Sequence, residues 1–147
     1  MTKINWVRFF LGGLIATVLL FLSDGLLHEN VFRTYWEAVY RDLGTKPPAE
    51  GHSLDLVYFF IFEMGRGFGA MLVYVLMRPF YGAGPKTAVL AAIATWLALS
   101  VAGPAEFIPL RFYSNSLWIG VAAVQLVTSI IAAMAGAAIY KDPAVVE

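Results

Sequence analysis

Cysteine is missing altogether from the 147 residues, histidine occurs twice, and charged residues make up only 14% of the chain. Without cysteine there is no disulfide, thiolate metal site, cysteine nucleophile or covalently attached c-type haem. Ten Lys+Arg balance ten Asp+Glu to a net charge of zero. That excludes the basic surface a nucleic-acid binder needs, so no nucleic-acid partner is expected. His28, Glu29, His52 and Glu106 show neither H-x-x-x-H nor Glu-x-x-His spacing, so neither a metal nor a haem is expected, nor any other cofactor. No phosphate-cradling loop is present, and no Ser stands at a readable spacing from a His and an acid. The run Gly65-Arg66-Gly67-Phe68-Gly69 is no dinucleotide fingerprint, because it lies inside an apolar stretch and not after a strand.

What the chain has in excess is apolar side chains, at 60% of residues with a mean hydropathy of +0.73. A soluble domain is about 45–50% apolar and about 25% charged. The excess falls in four blocks, at about 9–27, 56–77, 87–108 and 117–140. About 20 helical residues at 1.5 Å rise cross a ~30 Å hydrocarbon core, whereas a membrane barrel would show alternating segments of ~10 residues. The expected fold is an all-α, four-transmembrane-helix bundle in a single integral membrane domain. Trp6, Tyr58, Tyr81, Trp118 and Tyr140 stand at the block ends as an aromatic belt. The first block follows Lys3 and Arg8, but its end, Leu22 to Glu29, lacks an A-x-A-like cleavage site, so it reads as a retained helix. Four spans put both termini on one side, with Lys3, Arg8, Arg78, Lys86 and Lys141 there and Arg33, Arg41, Lys46 and Arg111 opposite. Five against four favours cytoplasmic termini.

Between the first two spans, Val31, Phe32, Tyr35, Trp36, Val39, Tyr40 and Leu43 form an apolar stripe near i, i+4 spacing. This predicts an amphipathic interfacial helix over about 30–43, stopped by Gly44 and Pro47-Pro48. Glu29–Arg33 and Glu37–Arg41 are acid-first i, i+4 pairs in it. The segment reads either as a fixed lid on the bundle or as a gate.

Charges inside spans are costly and face a protein interior or a hydrated cavity. Asp24 precedes His28 by one turn. Glu63 and Arg66 lie about 12 and 16 Å below Asp55, and Gln125 lies about 13 Å below Ser116. Glu106 closes the third helix. These six candidate ligand-binding residues, Asp24, His28, Glu63, Arg66, Glu106 and Gln125, fall in the half-membrane opposite the termini. At about 100° per residue they share faces with small or polar residues. The faces are Gly13, Thr17, Asp24 and His28; Glu63, Arg66, Gly67, Ala70 and Tyr74; Ala88, Ala92, Thr95, Ala102, Gly103 and Glu106; and Trp118, Gln125, Thr128, Ser129, Ala132 and Gly136. Such faces are what membrane-helix interfaces prefer. Glu63 and Arg66 at i, i+3 can neutralise one another. The carboxyls outnumber the one deep arginine, so one of Asp24, Glu63 and Glu106 is expected to keep a proton. Gly103-Pro104 and Pro109 mark either a broken helix end, with Arg111 and Asn115 adding polar atoms to a vestibule, or a plain terminator. Gly65 and Gly69 form a GxxxG face for packing within the bundle or for a homodimer seam.

The Asn5-Trp6 start and the stretch Val31-Phe32-Arg33-Thr34-Tyr35-Trp36 resemble small four-helix bacterial membrane proteins of the DUF1761-like kind, which also carry a long aromatic-rich segment after the first span. The resemblance implies an inner-membrane location and assigns no activity. The expected function is that of a non-enzymatic multi-pass protein with membrane lipid around it and a polar intramembrane pocket that binds or helps move a small or amphiphilic ligand. Two other readings stand beside it. One is an accessory subunit of a larger membrane complex. The other is a small intramembrane enzyme acting on a lipid or isoprenoid, with Glu63 or Glu106 as acid–base.

Overall fold

All four apolar blocks are helical in the computed structural model, which describes residues 4–45 and 53–141. Helix α1 spans Trp6–Asn30, α2 Arg33–Asp42, α3 Ser53–Tyr81 and α4 Pro85–Trp96. A π-helical stretch, Leu97–Ala102, joins α4 to the short α5, Gly103–Ala105, and α6 spans Asn115–Ile139. Four stretches, Trp6–Asn30, Leu56–Tyr81, Pro85–Ala105 and Asn115–Ile139, are long and apolar enough to cross a membrane. Lys3, Lys46, Pro47, Pro48 and His52, used in the sequence reading, lie outside the described residues.

The first and last of these helices start before their apolar blocks because polar caps extend them. Asn5 Oδ1 accepts from the Arg8 amide at 3.2 Å, and Ser114 Oγ accepts from that of Leu117 at 3.2 Å, which satisfies N–H groups that no helix turn can reach. Gly82 and Gly84, at φ +81° and +130°, make the turn into α4, where Pro85 takes the first position and its missing N–H costs nothing. Around the bundle α1 packs on α3 and α6, and α4 packs on the same two. The helices come very close. A Cβ on Gly12 would stand 2.7 Å from the Gly136 carbonyl oxygen, and one on Gly67 would stand 2.6 Å from the Thr17 amide nitrogen. Only hydrogen fits at these crossings, and that proximity lets short side chains span the interior.

The third span departs from expectation. Its α-helical part ends at Trp96, and it stops at Ala105 rather than near 108. Pro104 has no N–H and its ring crowds the carbonyl four residues back. The wider π turn, in which the Gly103 N–H reaches the Ala98 oxygen, accommodates it. One turn of i→i+5 bonding uses an extra residue and rotates everything after it by about 100°. Ala88, Ala92 and Thr95 are therefore buried as expected, but Ala102, Gly103 and Glu106 are exposed and Ser100 is buried in their place.

At the end of the bundle near the termini, Phe9, Met71, Tyr74, Val75, Ala88, Ala91, Ala137 and Tyr140 form the main apolar core. Tyr140 thus belongs to the interior and not to an aromatic belt. Its hydroxyl accepts from the Asn5 amide at 3.1 Å, and the Arg78 guanidinium lies 4.8 Å from its ring centroid. Trp6, Tyr58 and Tyr81 are exposed on the outside, as a belt requires.

Helix α2 is shorter than the 30–43 segment because α1 runs on to Asn30. Phe32 is buried and leans on α6, where a Cβ on Gly120 would meet its ring at 3.1 Å. Trp36 sits edge-on to Tyr113, with centroids 6.4 Å apart. Val31, Tyr35 and Leu43 of the same stripe stay exposed. Arg33 bridges Glu29 and Glu37, each at 3.1 Å, so Glu37 pairs with Arg33 and not with Arg41 among the described residues. Exposed i, i+4 pairs of this kind contribute about 0.3–0.5 kcal/mol each; the aromatic contacts hold α2 in place.

Candidate functional site

Arg66 lies at the centre of the bundle with 2% of its surface exposed. Its Nη1 donates to Asp24 Oδ2 of α1 and, within α3, to Glu63 Oε1 and Oε2 at 3.0 and 2.9 Å. Its Nη2 donates to Ser129 Oγ of α6 at 2.9 Å. Asp24 is further held by Gln125 Nε2 on Oδ2 at 2.9 Å and by Thr128 Oγ1 on Oδ1 at 3.0 Å. One guanidinium and two carboxylates, contributed by α1 and α3, are thus bonded across to three polar side chains of α6.

The local sequence explains the convergence. Glu63 and Arg66 stand at i, i+3, and Gln125, Thr128 and Ser129 at i, i+3, i+4, so each set lies along one helix face. Gly67, next to Arg66, abuts the α1 backbone at Thr17. A longer reach would leave Asp24 short of α6, and an unpaired buried charge costs several kcal/mol. Asp24, Glu63, Gln125 and Ser129 are all buried with it. Phe62 adds its ring 5.8 Å from the Arg66 guanidinium carbon, a cation–π contact.

The structure brings together four of the six residues expected from sequence: Asp24, Glu63, Arg66 and Gln125. Thr128 and Ser129, already on the same face of the fourth span, are direct members of the network. His28 stands one turn beyond Asp24, about 6 Å along α1, and is half-buried. Its Nδ1 accepts from Trp36 Nε1 at 2.7 Å, which requires an unprotonated Nδ1 and assigns the ring proton to Nε2. His28 therefore ties α2 to the end of α1, just outside the network. The Trp36–His28 bond escaped the sequence reading because it crosses a helix break, where no periodicity links the two.

Glu106 is not part of the site. The π turn leaves it exposed on the outside of the chain, and Arg111 and Asn115 are exposed as well, so none of the three lines the interior. Glu106 acts instead on Tyr113, whose phenol is pushed above its usual range by burial and, second, by the Glu106 charge. The Tyr113 hydroxyl donates to the Pro104 carbonyl at 2.5 Å, an oxygen that also accepts the Phe107 amide at 3.1 Å. The GxxxG pair is divided too. A Cβ on Gly69 would meet Thr95 of α4 at 3.3 Å, so that residue packs within the bundle, whereas Gly65 faces open space. Among the described residues no three His, Asp or Glu side chains are arranged to hold a metal ion.

No protein family, curated protein or solved structure matches this chain.

Proposed function

We propose that this chain is a multi-pass protein of the bacterial inner membrane, with cytoplasmic termini, and that its Asp24–Glu63–Arg66–Gln125 network binds or helps move a small or amphiphilic ligand. The observation behind the reading is the excess of acid over base around one buried arginine at the junction of three helices. A network kept only for structure needs one carboxylate to balance Arg66, and ionisable groups at membrane depth ordinarily serve ion or substrate handling. His28 and α2 lie at the end of the bundle nearest the network, the side from which a ligand would arrive. Glu106 is exposed and does not take part, so of the two acids named for acid–base chemistry only Glu63 stands in the network.

The test is native mass spectrometry of the full chain released gently from its membrane. Wild type should carry an added mass that Glu63→Gln and Arg66→Ala lose while still inserting in the membrane. Identical spectra for all three proteins would remove the reading of a retained molecular ligand. A bare chain bound to another protein would move the assignment to an assembly subunit.

A further inference from the structure

Positive charge in the buried network is short by one. Three carboxylate oxygens, Asp24 Oδ2, Glu63 Oε1 and Glu63 Oε2, draw on Arg66 Nη1, a nitrogen with two hydrogens to give. Asp24 has other donors, Gln125 Nε2 and Thr128 Oγ1, so both of its oxygens are served. Among the described residues Glu63 draws on Nη1 alone, so both carboxylates crowd the same nitrogen. Two acids thus face one guanidinium.

Among the described residues no other charged group facing the pair restores the balance. On α1, His28 accepts from Trp36 and is neutral in that bond. The network face of α6 presents Gln125, Thr128 and Ser129, all uncharged. Lys86 is the only charged residue of α4, at its far end, and none occurs in the π-helical stretch or α5. On α2, Arg33 is exposed and occupied by Glu29 and Glu37.

We propose that the network's ligand is a proton, carried by Glu63 and donated in a hydrogen bond to Asp24. The assignment rests on the ligand-site reading above and names the ligand class. One proton supplies the missing positive charge and lets the two crowded carboxyls bond to each other. Its uptake converts the Glu63 carboxylate to a carboxylic acid, and its release to water at the His28 end restores the anion. Binding of any other cation at the same place then requires that the proton leave.

Infrared difference spectroscopy of the full chain in lipid nanodiscs tests this directly. At pH 7 wild type should show the C=O stretch of one protonated carboxylic acid per chain, which shifts in D2O and disappears as the sample is made alkaline. Glu63→Gln should lack the band because the carrier is gone. Asp24→Asn should also lose it, because the remaining Glu63 and Arg66 balance one another. Absence of the band in wild type at pH 7 would overturn the proposal, as would its persistence in either variant, and the wild-type spectrum decides even where a variant fails to fold. An added mass in native spectra without a protonated carboxyl defeats the proton assignment alone. Loss of both defeats the ligand site as well.

Discussion

Replacing Gly136 by alanine should loosen the whole bundle, and the size of the effect follows from the α1–α6 crossing. A Cβ there would lie 2.6 Å from the Gly12 carbonyl oxygen, against the 3.4 Å at which ordinary contact begins, so the helices must part by about 0.8 Å. The obstructing atom is backbone and cannot swing aside. A radial gap of 0.5–1 Å forfeits about a quarter to a half of the attraction between facing atoms. Van der Waals packing is the main force between helices in lipid, where no hydrophobic difference drives them together. Overpacking of this kind costs about 1–3 kcal/mol. The assay is reversible unfolding in mixed micelles followed by circular dichroism, with Gly25→Ala as the comparison, since nothing lies within 4 Å of a Cβ at that position. Gly25→Ala should be as stable as wild type or slightly more so, because alanine is the better helix former. If Gly136→Ala unfolds at the same midpoint as Gly25→Ala, the close crossing is not what holds α1 to α6.

Arg66→Met leaves Asp24 and Glu63 buried without their cation, and stability in the same assay should fall by about 3–5 kcal/mol; an unchanged midpoint would show that the network is already solvated. His28→Phe removes the acceptor of the Trp36 indole and should cost about 1 kcal/mol. Since Nδ1 accepts only when unprotonated, the bond is present at high pH and lost as acidification protonates the ring, which should appear as a change in tryptophan emission that Trp36→Phe abolishes. The Tyr113 phenol should ionise at lower pH in Glu106→Gln than in wild type, measured by phenolate absorbance, because one of the two causes raising it is gone. A phenol raised above its unfolded value near 10 contributes stability that is complete below that pH and is lost as pH climbs through the folded-state value. A wild-type titration equal to that of Glu106→Gln would mean that burial alone acts on Tyr113.

The membrane spans, their approximate limits and the inward faces of α1, α3 and α6 are readable in the sequence, and the reason is the solvent. Lipid demands about 20 apolar residues per helix and turns every deep charge inward, so length and a 3.6-residue period leave little freedom. Asp24, Glu63, Arg66 and Gln125 were legible on that basis. Which of them bond, and to what, depended on the tertiary structure. Gly12, Gly67 and Gly136 set interhelical distances that no periodicity encodes, and those distances let Asp24 reach Gln125 and Thr128. Glu106 was misplaced because one π turn before Pro104 shifts the phase of all that follows, a rotation invisible to a pattern that assumes a regular helix. Tyr140 found interior partners by packing, against the interfacial role its position suggested. The sequence by itself determined how many helices cross and which side of α1, α3 and α6 is polar, because those follow from each helix meeting lipid. The tertiary structure alone decided that two carboxylates share one guanidinium, because that depends on how closely neighbouring helices approach.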